Sequence, residues 1–339
     1  MTTTVLGALP ASSTPLDVVR EWRIDELVPF LADEDPDNGL TPAQRAALDQ
    51  ARAQLDYATD ANAMFFVPPK LTLPLVQPAF AGEHLVFVCV NQKGGAGKTT
   101  SSLELAAAWI AMGYSVRLID ADPQKAGLSV LVRPEYGDLP AAERYSLTDV
   151  MFGTQPLDMA TYATRVENLY IVPSGEELTR VEYDPRAGRD SDLRKAIRKS
   201  EAPVDITIID APPSLGKLAV NALMAARHAI IPLKASSLDF TGMHALHKTI
   251  KSVQEDNPDL SILASVITDW SKSWMAAEIA ARVRRDYPEA MIGLARHQVA
   301  VNRAGDHSLP VRAFEPSATV VADYDQLAHL LLPVKGITP

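Results

Sequence analysis

An apolar run at 85–90 (LVFVCV) leads directly into Asn91-Gln92-Lys93-Gly94-Gly95-Ala96-Gly97-Lys98-Thr99-Thr100, and a helix-period segment follows. An uninterrupted apolar run fits a parallel strand covered on both faces. Glycines let backbone N–H groups approach a ligand closely, and the start of a helix adds partial positive charge at the same point. Strand, glycine loop and helix in this order therefore predict a phosphate cradle. Lys98 would reach the outer phosphates and Thr99 would offer its hydroxyl to Mg²⁺. A plain strand-to-helix glycine turn is the bland alternative, and it needs Gly97-Lys98-Thr99 by accident.

The remainder of the chain supports one large α/β body. Further apolar runs at 115–120, 169–173, 205–210, 228–233 and 260–268 alternate with amphipathic segments. Among these, 99–112 and 240–253 read as helices; in the second, Phe240, Met243, His247, Ile250 and Val253 share a face. Such βα alternation predicts a mostly parallel central sheet flanked by helices on both faces. Of 339 residues 47% are hydrophobic and 22% charged, enough apolar material for a sizeable core. The single cysteine, Cys89, excludes an intrachain disulfide or a cysteine-held cluster and reads as a small hydrophobe inside a strand. No stretch approaches the roughly 18 apolar residues of a membrane span, and the start lacks a signal peptide's basic and apolar regions, so a cytoplasmic protein is expected.

Residues 1–84 differ in texture. They hold 12 acidic against 5 basic side chains, and so carry −7 of the chain's −10. Helices are expected at 17–30 and at 42–57, the latter with Thr41 as N-cap and Pro42 at the first helical position. The prolines at 68, 69, 74 and 78 predict an extended connector around Phe65-Phe66. A DNA-reading helix pair would want basic residues here, so a helical arm packing on the body or on a second copy is the better reading. The expected division is an arm over 1–84, a nucleotide-binding body over 85–334 and a tail over 335–339.

The loop departs from the ordinary phosphate-binding pattern. Gln92 stands where that pattern has its first glycine, and a second lysine, Lys93, opens the loop. In this form it resembles the deviant Walker A motif of the ParA/MinD ATPase family. Asp120-Ala121-Asp122-Pro123-Gln124, ending one strand, is similar to that family's switch segment, and Asp210-Ala211-Pro212-Pro213 to its Walker B segment. Carboxylates at the carboxyl ends of strands face the ligand crevice of an open α/β sheet. The resemblance extends over roughly 85–334, through 171–178, through 230–246 where the family encloses adenine, and through 309–331. It implies a P-loop fold, ATP and Mg²⁺ as ligands, and slow, partner-stimulated ATP hydrolysis. The phosphates would lie on Lys93, Gly94, Gly95, Ala96, Gly97, Lys98, Thr99 and Thr100. Thr99, Asp120 and Asp210 would manage Mg²⁺, Asp122 would position the attacking water, and Lys93 would act across an ATP-dependent homodimer. Lys125-Ala126-Gly127 and Ala211 depart from the partition members' usual residues.

Features outside the loop choose among members of the family. The tail ends LLLPVKGITP, without the basic amphipathic helix of membrane-positioned relatives. Between Asp269 and Arg312, Lys272, Arg282, Arg284, Arg285, Arg296, Arg303 and Arg312 stand against five acidic residues. The resemblance makes Arg282, Arg284, Arg285, Arg296, Arg303 and Arg312 the candidate contacts to non-specific DNA; solvated arginine faces are the alternative. It further implies a ParB-type centromere-binding partner, association with the nucleoid, and segregation of plasmid or chromosomal DNA. A positioning ATPase with a protein cargo and an ATP-dependent ligase of the same fold are the competing readings. His244 and His247 have metal-binding spacing without a third ligand, and Trp270 and Trp274 are expected to pack rather than stack on bases.

Overall fold

The computed structural model describes Phe65–Phe66 and residues 84–332, apart from 125–126, 176, 187, 203, 236–239, 271–273 and 288–289. The helices expected at 17–30 and 42–57, and the tail at 335–339, lie outside the described residues. Lys125 and Ala126 do as well.

The six apolar runs become strands, and three further short segments join them. In chain order these are β1 (Phe65–Phe66), β2 (Leu85–Cys89), β3 (Val116–Asp120), β4 (Tyr162–Ala163), β5 (Leu169–Val172), β6 (Ile206–Asp210), β7 (His228–Lys234), β8 (Ser261–Trp270) and β9 (Met291–Arg296). They form one sheet in the order β1-β9-β8-β7-β2-β6-β3-β5-β4. Only the edges are antiparallel: β1 pairs with β9 through Phe65–Gly293 and Phe66–Ile292, and β4 with β5. Phe65-Phe66 is thus extended and lies at one edge of the sheet, and the prolines of the expected connector lie outside the described residues.

Helices lie on both faces because each inner strand alternates between two cores. In β2, Leu85, Phe87 and Cys89 enter one core with Leu103 and Trp109 of α1 (Lys98–Ala111) and Leu327 and Leu331 of α10 (Thr319–Leu331). Val86 and Val88 enter the other, with Leu193 and Ile197 of α4 (Asp192–Lys199), Leu218 and Leu223 of α5 (Lys217–Ala225), and Leu246 and Ile250 of α6 (Phe240–Asp256). Cys89 is fully buried and its thiol is pushed up to about 12 by that burial, consistent with packing rather than chemistry. Trp270 is a core residue; His244 is exposed and the His247 ring meets Tyr287 of the neighbouring segment at a tilt of 37°. Among the described residues no group of three or more His, Cys, Asp or Glu side chains is placed to hold a metal. No helix among them is long and apolar enough to cross a membrane.

The helix that follows the glycine loop is anchored by polar contacts inside its core. In α1, Ser101 meets the Tyr324 hydroxyl at 2.9 Å, and Glu104 accepts the Val311 N–H at 2.9 Å, at the start of α9 (Val311–Phe314). Burial pushes the Glu104 carboxyl up to about 7. A raised carboxyl pKa means that the folded state binds the proton more tightly than the unfolded one. The associated stability is present below the unfolded value near 4.5 and is lost as pH rises through 7. Glu104→Gln keeps an acceptor for Val311 and removes the charge. It is expected to raise the melting temperature at pH 8, with a gain of at most about 3 kcal/mol, and to change little at pH 4.5; thermal melts at the two pH values check this.

Candidate functional site

β2, β3 and β6 are adjacent or one strand apart and end together, which brings the loop after β2 against the carboxylates that close β3 and β6. Asp120 and Asp210 are register partners across β3 and β6, and Cys89, at the end of β2, is opposite Asp210. The sheet order reverses around β2, so this is the topological switch point at which an α/β sheet opens a crevice.

The loop is held open by specific contacts. Asn91 donates its side-chain amide to the Pro232 carbonyl at 2.6 Å and accepts the Lys93 N–H at 3.1 Å, tying the loop's start to β7. Thr268, at the end of β8, donates to the Ala96 carbonyl at 2.9 Å. Gly97 has φ of 90°, and a Cβ there would lie 2.8 Å from the Thr268 Cγ2, so both backbone and space require glycine. Around Gly94 and Gly95 a Cβ would meet nothing within 4 Å, leaving the cradle clear. Within α1, Ser101 is the first residue whose N–H reaches a backbone carbonyl, that of Gly97 at 2.8 Å. The amides before it are the donors a helix start leaves for an anion.

The charged groups beneath the loop also match phosphate and a divalent cation. Lys98 is buried, its Nζ donating to the Lys93 carbonyl at 3.3 Å; desolvation lowers its pKa, while Asp210 and Asp122 act against that shift. Thr99 donates to Asp210 at 2.7 Å and Ser102 to the same carboxylate at 3.4 Å. Burial, and next the charge of Asp120, push the Asp210 carboxyl up to about 8. Asp120 is pushed up to about 6 by burial and accepts the Ser129 N–H at 2.7 Å, the Ser129 hydroxyl at 2.5 Å and the Asp122 N–H at 3.2 Å. Ser129 in turn accepts the Ser174 N–H at 2.9 Å, which joins the 171–178 segment to the switch. Asp122 is half-buried, raised chiefly by desolvation, and accepts the Gln124 N–H at 3.0 Å. Two raised carboxyls side by side are an arrangement that a divalent cation would discharge. Among the described residues no three-residue ligand cluster is present, and such a cation would share its coordination with phosphate oxygens.

Beside Gly97 a cavity of about 200 Å³ is lined in part by Thr100, Asp269, Arg296, His297 and Gln298. Asp269 has a left-handed backbone, φ 56°, and binds Lys234 Nζ at 2.7 Å and His297 Nδ1 at 2.5 Å. Motif reasoning does not reach this wall. The available signal is positional: Thr268 and Asp269 close β8 and Arg296 closes β9, at the same edge as the loop.

The six arginines expected to meet DNA do not form one open patch. Arg282 donates to Asp286 at 2.6 Å, and Arg285 lies 3.6 Å from the same carboxylate. Arg303 is 61% exposed, rests over Phe314 and approaches Glu315 at 3.8 Å; Arg312 pairs with Asp325. Two of the six have more enclosed surroundings. Arg284 is withdrawn into the protein, where desolvation lowers its pKa to about 10. Arg296 is bound at 2.6 Å to the fully buried carboxylate of Asp323 and walls the cavity beside the loop. Periodicity places Arg284 on a helix and assigns Arg296 to no element, and it cannot see either residue's surroundings. Lys272 lies outside the described residues.

Replacing Gly97 by alanine should strain the left-handed backbone and push Thr268 off the Ala96 carbonyl. The expected outcome is a loss of about 1–3 kcal/mol of stability and at least a tenfold weaker affinity for a fluorescent ATP analogue, read by thermal melts and titration.

A family model described as an AAA domain matches residues 85–262. The chromosome partitioning protein ParA of Caulobacter vibrioides (strain NA1000 / CB15N) is 32% identical over 254 residues, covering 72% of this chain and 92% of that protein. The cell division protein PomZ of Myxococcus xanthus (strain DK1622) is 32% identical over 261 residues, 76% of this chain and 80% of that protein. Cobyrinic acid a,c-diamide synthase from Mycobacterium smegmatis, solved with bound ADP and magnesium, has a TM-score of 0.59 at 28% identity, covering 76% of this chain and 100% of that one. A glycine loop with an early lysine, two carboxylate-tipped strands at its side and relatives of this kind along most of the body place the chain in the ParA family of partitioning and positioning ATPases.

Proposed function

We propose that the protein is an ATP-driven switch that dimerises on ATP, binds DNA without sequence preference, and releases it on hydrolysis stimulated by a ParB-type partner. The observation that carries the reading is the Thr99–Asp210 contact at 2.7 Å beneath a clear glycine cradle, with one lysine buried in the loop and a second at its start. Lys98 and the amides of Gly94–Thr100 hold the phosphates. Thr99 and Asp210, with Asp120 behind them, would hold Mg²⁺, which would offset the negative charge of the phosphates. Asp122 accepts a hydrogen bond from the attacking water and orients it. The half-exposed Lys93 reaches a nucleotide held by the second copy, and the cavity beside Gly97 takes the base and ribose.

DNA contact falls to the most exposed members of the arginine set, Arg285 and Arg303, supported by Arg282 and Arg312. Each has a carboxylate neighbour, so binding is weak, strongly dependent on salt, and reliant on dimerisation to double the surface. The same pairing supports a second reading, in which the cargo is a protein assembly and DNA contact is slight.

Binding to a random-sequence duplex with ATP, with ADP and without nucleotide, across a salt series, separates these readings. ATP-dependent binding that weakens steeply with salt and falls at least tenfold in Arg285→Ala/Arg303→Ala is the expected result. ATP-dependent dimerisation without DNA binding supports a protein cargo. If neither responds to ATP, the switch reading fails and a ligase-type activity becomes the alternative to test.

Turnover tests the site residues. Asp210→Asn is expected to reduce ATP hydrolysis by roughly 10²–10³-fold. Lys93→Ala should abolish ATP-dependent dimerisation while changing nucleotide affinity less than about threefold. Sedimentation and nucleotide titration check the split between the two effects.

A further inference from the structure

At the end of the sheet opposite the glycine loop, α4 carries Arg194, Lys195, Arg198 and Lys199 within eight residues. Leu193 and Ile197 are its buried anchors, so the four cations occupy the outer faces. Arg194 and Arg198 line a depression of about 470 Å³ together with His84, Arg227 and Asp259. Lys195 and Lys199, with Arg189, line another on the far side of the helix. Like charges four residues apart repel along a helix. Lys195 reaches Asp192, but among the described residues no carboxylate pairs with Arg194, Arg198 or Lys199. This cationic face plays no part in the nucleotide site, and its charge contrasts with a chain of net −10.

We propose that this face is the docking site of the chain's own acidic segment Asp33-Glu34-Asp35-Pro36-Asp37. Charge complementarity is the first support: four carboxylates lie within five residues, facing four cations within six. The path of the chain is the second. Phe65–Phe66 is fixed to the sheet edge on β9, and the chain re-enters the described body at His84, a wall of the same depression. From β1 to β6, the strand that α4 leads into, is five strand spacings, or about 24 Å. The 27 residues between Asp37 and Phe65 have a contour length of roughly 90 Å. Reach is therefore not limiting, and the tether gives the segment an effective concentration in the millimolar range. A free anionic partner would have to displace it. The inference does not depend on the reading of the nucleotide site.

Zero-length carbodiimide coupling of the full-length protein, followed by peptide mass spectrometry, tests it. Amide links from Lys195 or Lys199 to Asp33, Glu34, Asp35 or Asp37 are expected, with a yield unchanged over a hundredfold dilution and lost at high salt. In a D33N/E34Q/D35N/D37N variant the links should vanish and acetylation of Lys195 and Lys199 should accelerate several-fold, with ATP turnover unchanged. Absence of the links, or acetylation rates equal in the two proteins, would overturn the proposal. So would a yield that falls with dilution, which assigns the face to a second copy, or protection of the two lysines by a DNA duplex alone, which assigns it to nucleic acid.

Discussion

The hydroxyl of Thr99 bound to Asp210 at 2.7 Å is the contact around which the body is arranged. It joins the first turn of α1 to the end of β6, and it requires β2, β3 and β6 to end at one level. The parallel register supplies that level, with Cys89, Asp120 and Asp210 as cross-strand neighbours. Setting two carboxyls there is expensive, as their raised pKa values of about 6 and 8 record. Hydrogen bonds from Thr99, Ser102 and Ser129 offset part of the cost. The remainder is what a cation and a phosphate would relieve, so the energetic defect of the fold and its binding capacity are one property.

The loop itself is rigidified from outside. Asn91 hooks it to β7, Thr268 hooks it to β8, and α1 is fixed behind it by Tyr324 and Val311. These anchors belong to segments well over a hundred residues downstream in the chain. A movement of β8 or α10 would therefore be felt at Ala96 and Gly97 directly, through hydrogen bonds rather than through diffuse packing. Asp269, with its strained left-handed backbone, is next to Thr268 and pairs with Lys234 and His297. That cluster sits where it could transmit the occupancy of the neighbouring cavity to the loop.

The parts legible in the sequence share a cause. Strands β2, β3, β5, β6, β7 and β8 are largely buried on both faces, so apolar residues dominate them and the runs stand out, with Arg117, Thr207 and Ser265 as buried polar exceptions. The glycine loop is legible because Gly97 has no substitute at φ 90° against Thr268. Strand β9 escaped because Gly293 and Ala295 dilute its apolar character, and β4, of two residues, is too short to carry a period. The surroundings of the arginine set are illegible for a different reason. Arg284 and Arg285 are neighbours on α7 (Trp274–Asp286) and alike in sequence terms, and only the fold gives Arg284 its desolvated surroundings and Arg296 its pairing with Asp323. Charge type is visible along a chain, whereas charge pairing is a property of the fold.

The distribution of charge across the body then has a physical sense. At the carboxyl ends of the strands, acids are buried and short of counter-charge; at the amino ends, the cations of α4 are exposed and short of it. Leaving both deficits in place costs stability, and they cannot cancel each other because the length of the buried strands lies between them. Each end must therefore find its complement from elsewhere. A phosphate with its cation suits the first, where burial strengthens the attraction and geometry is exacting. An acidic partner suits the second, where exposure keeps each contact weak and only several together hold. The end that needs strong, exacting contacts is the one whose motif is recognisable in the sequence. At the other end the match is one of charge alone, so residues 33–37 and α4 share no spacing that would mark them as partners.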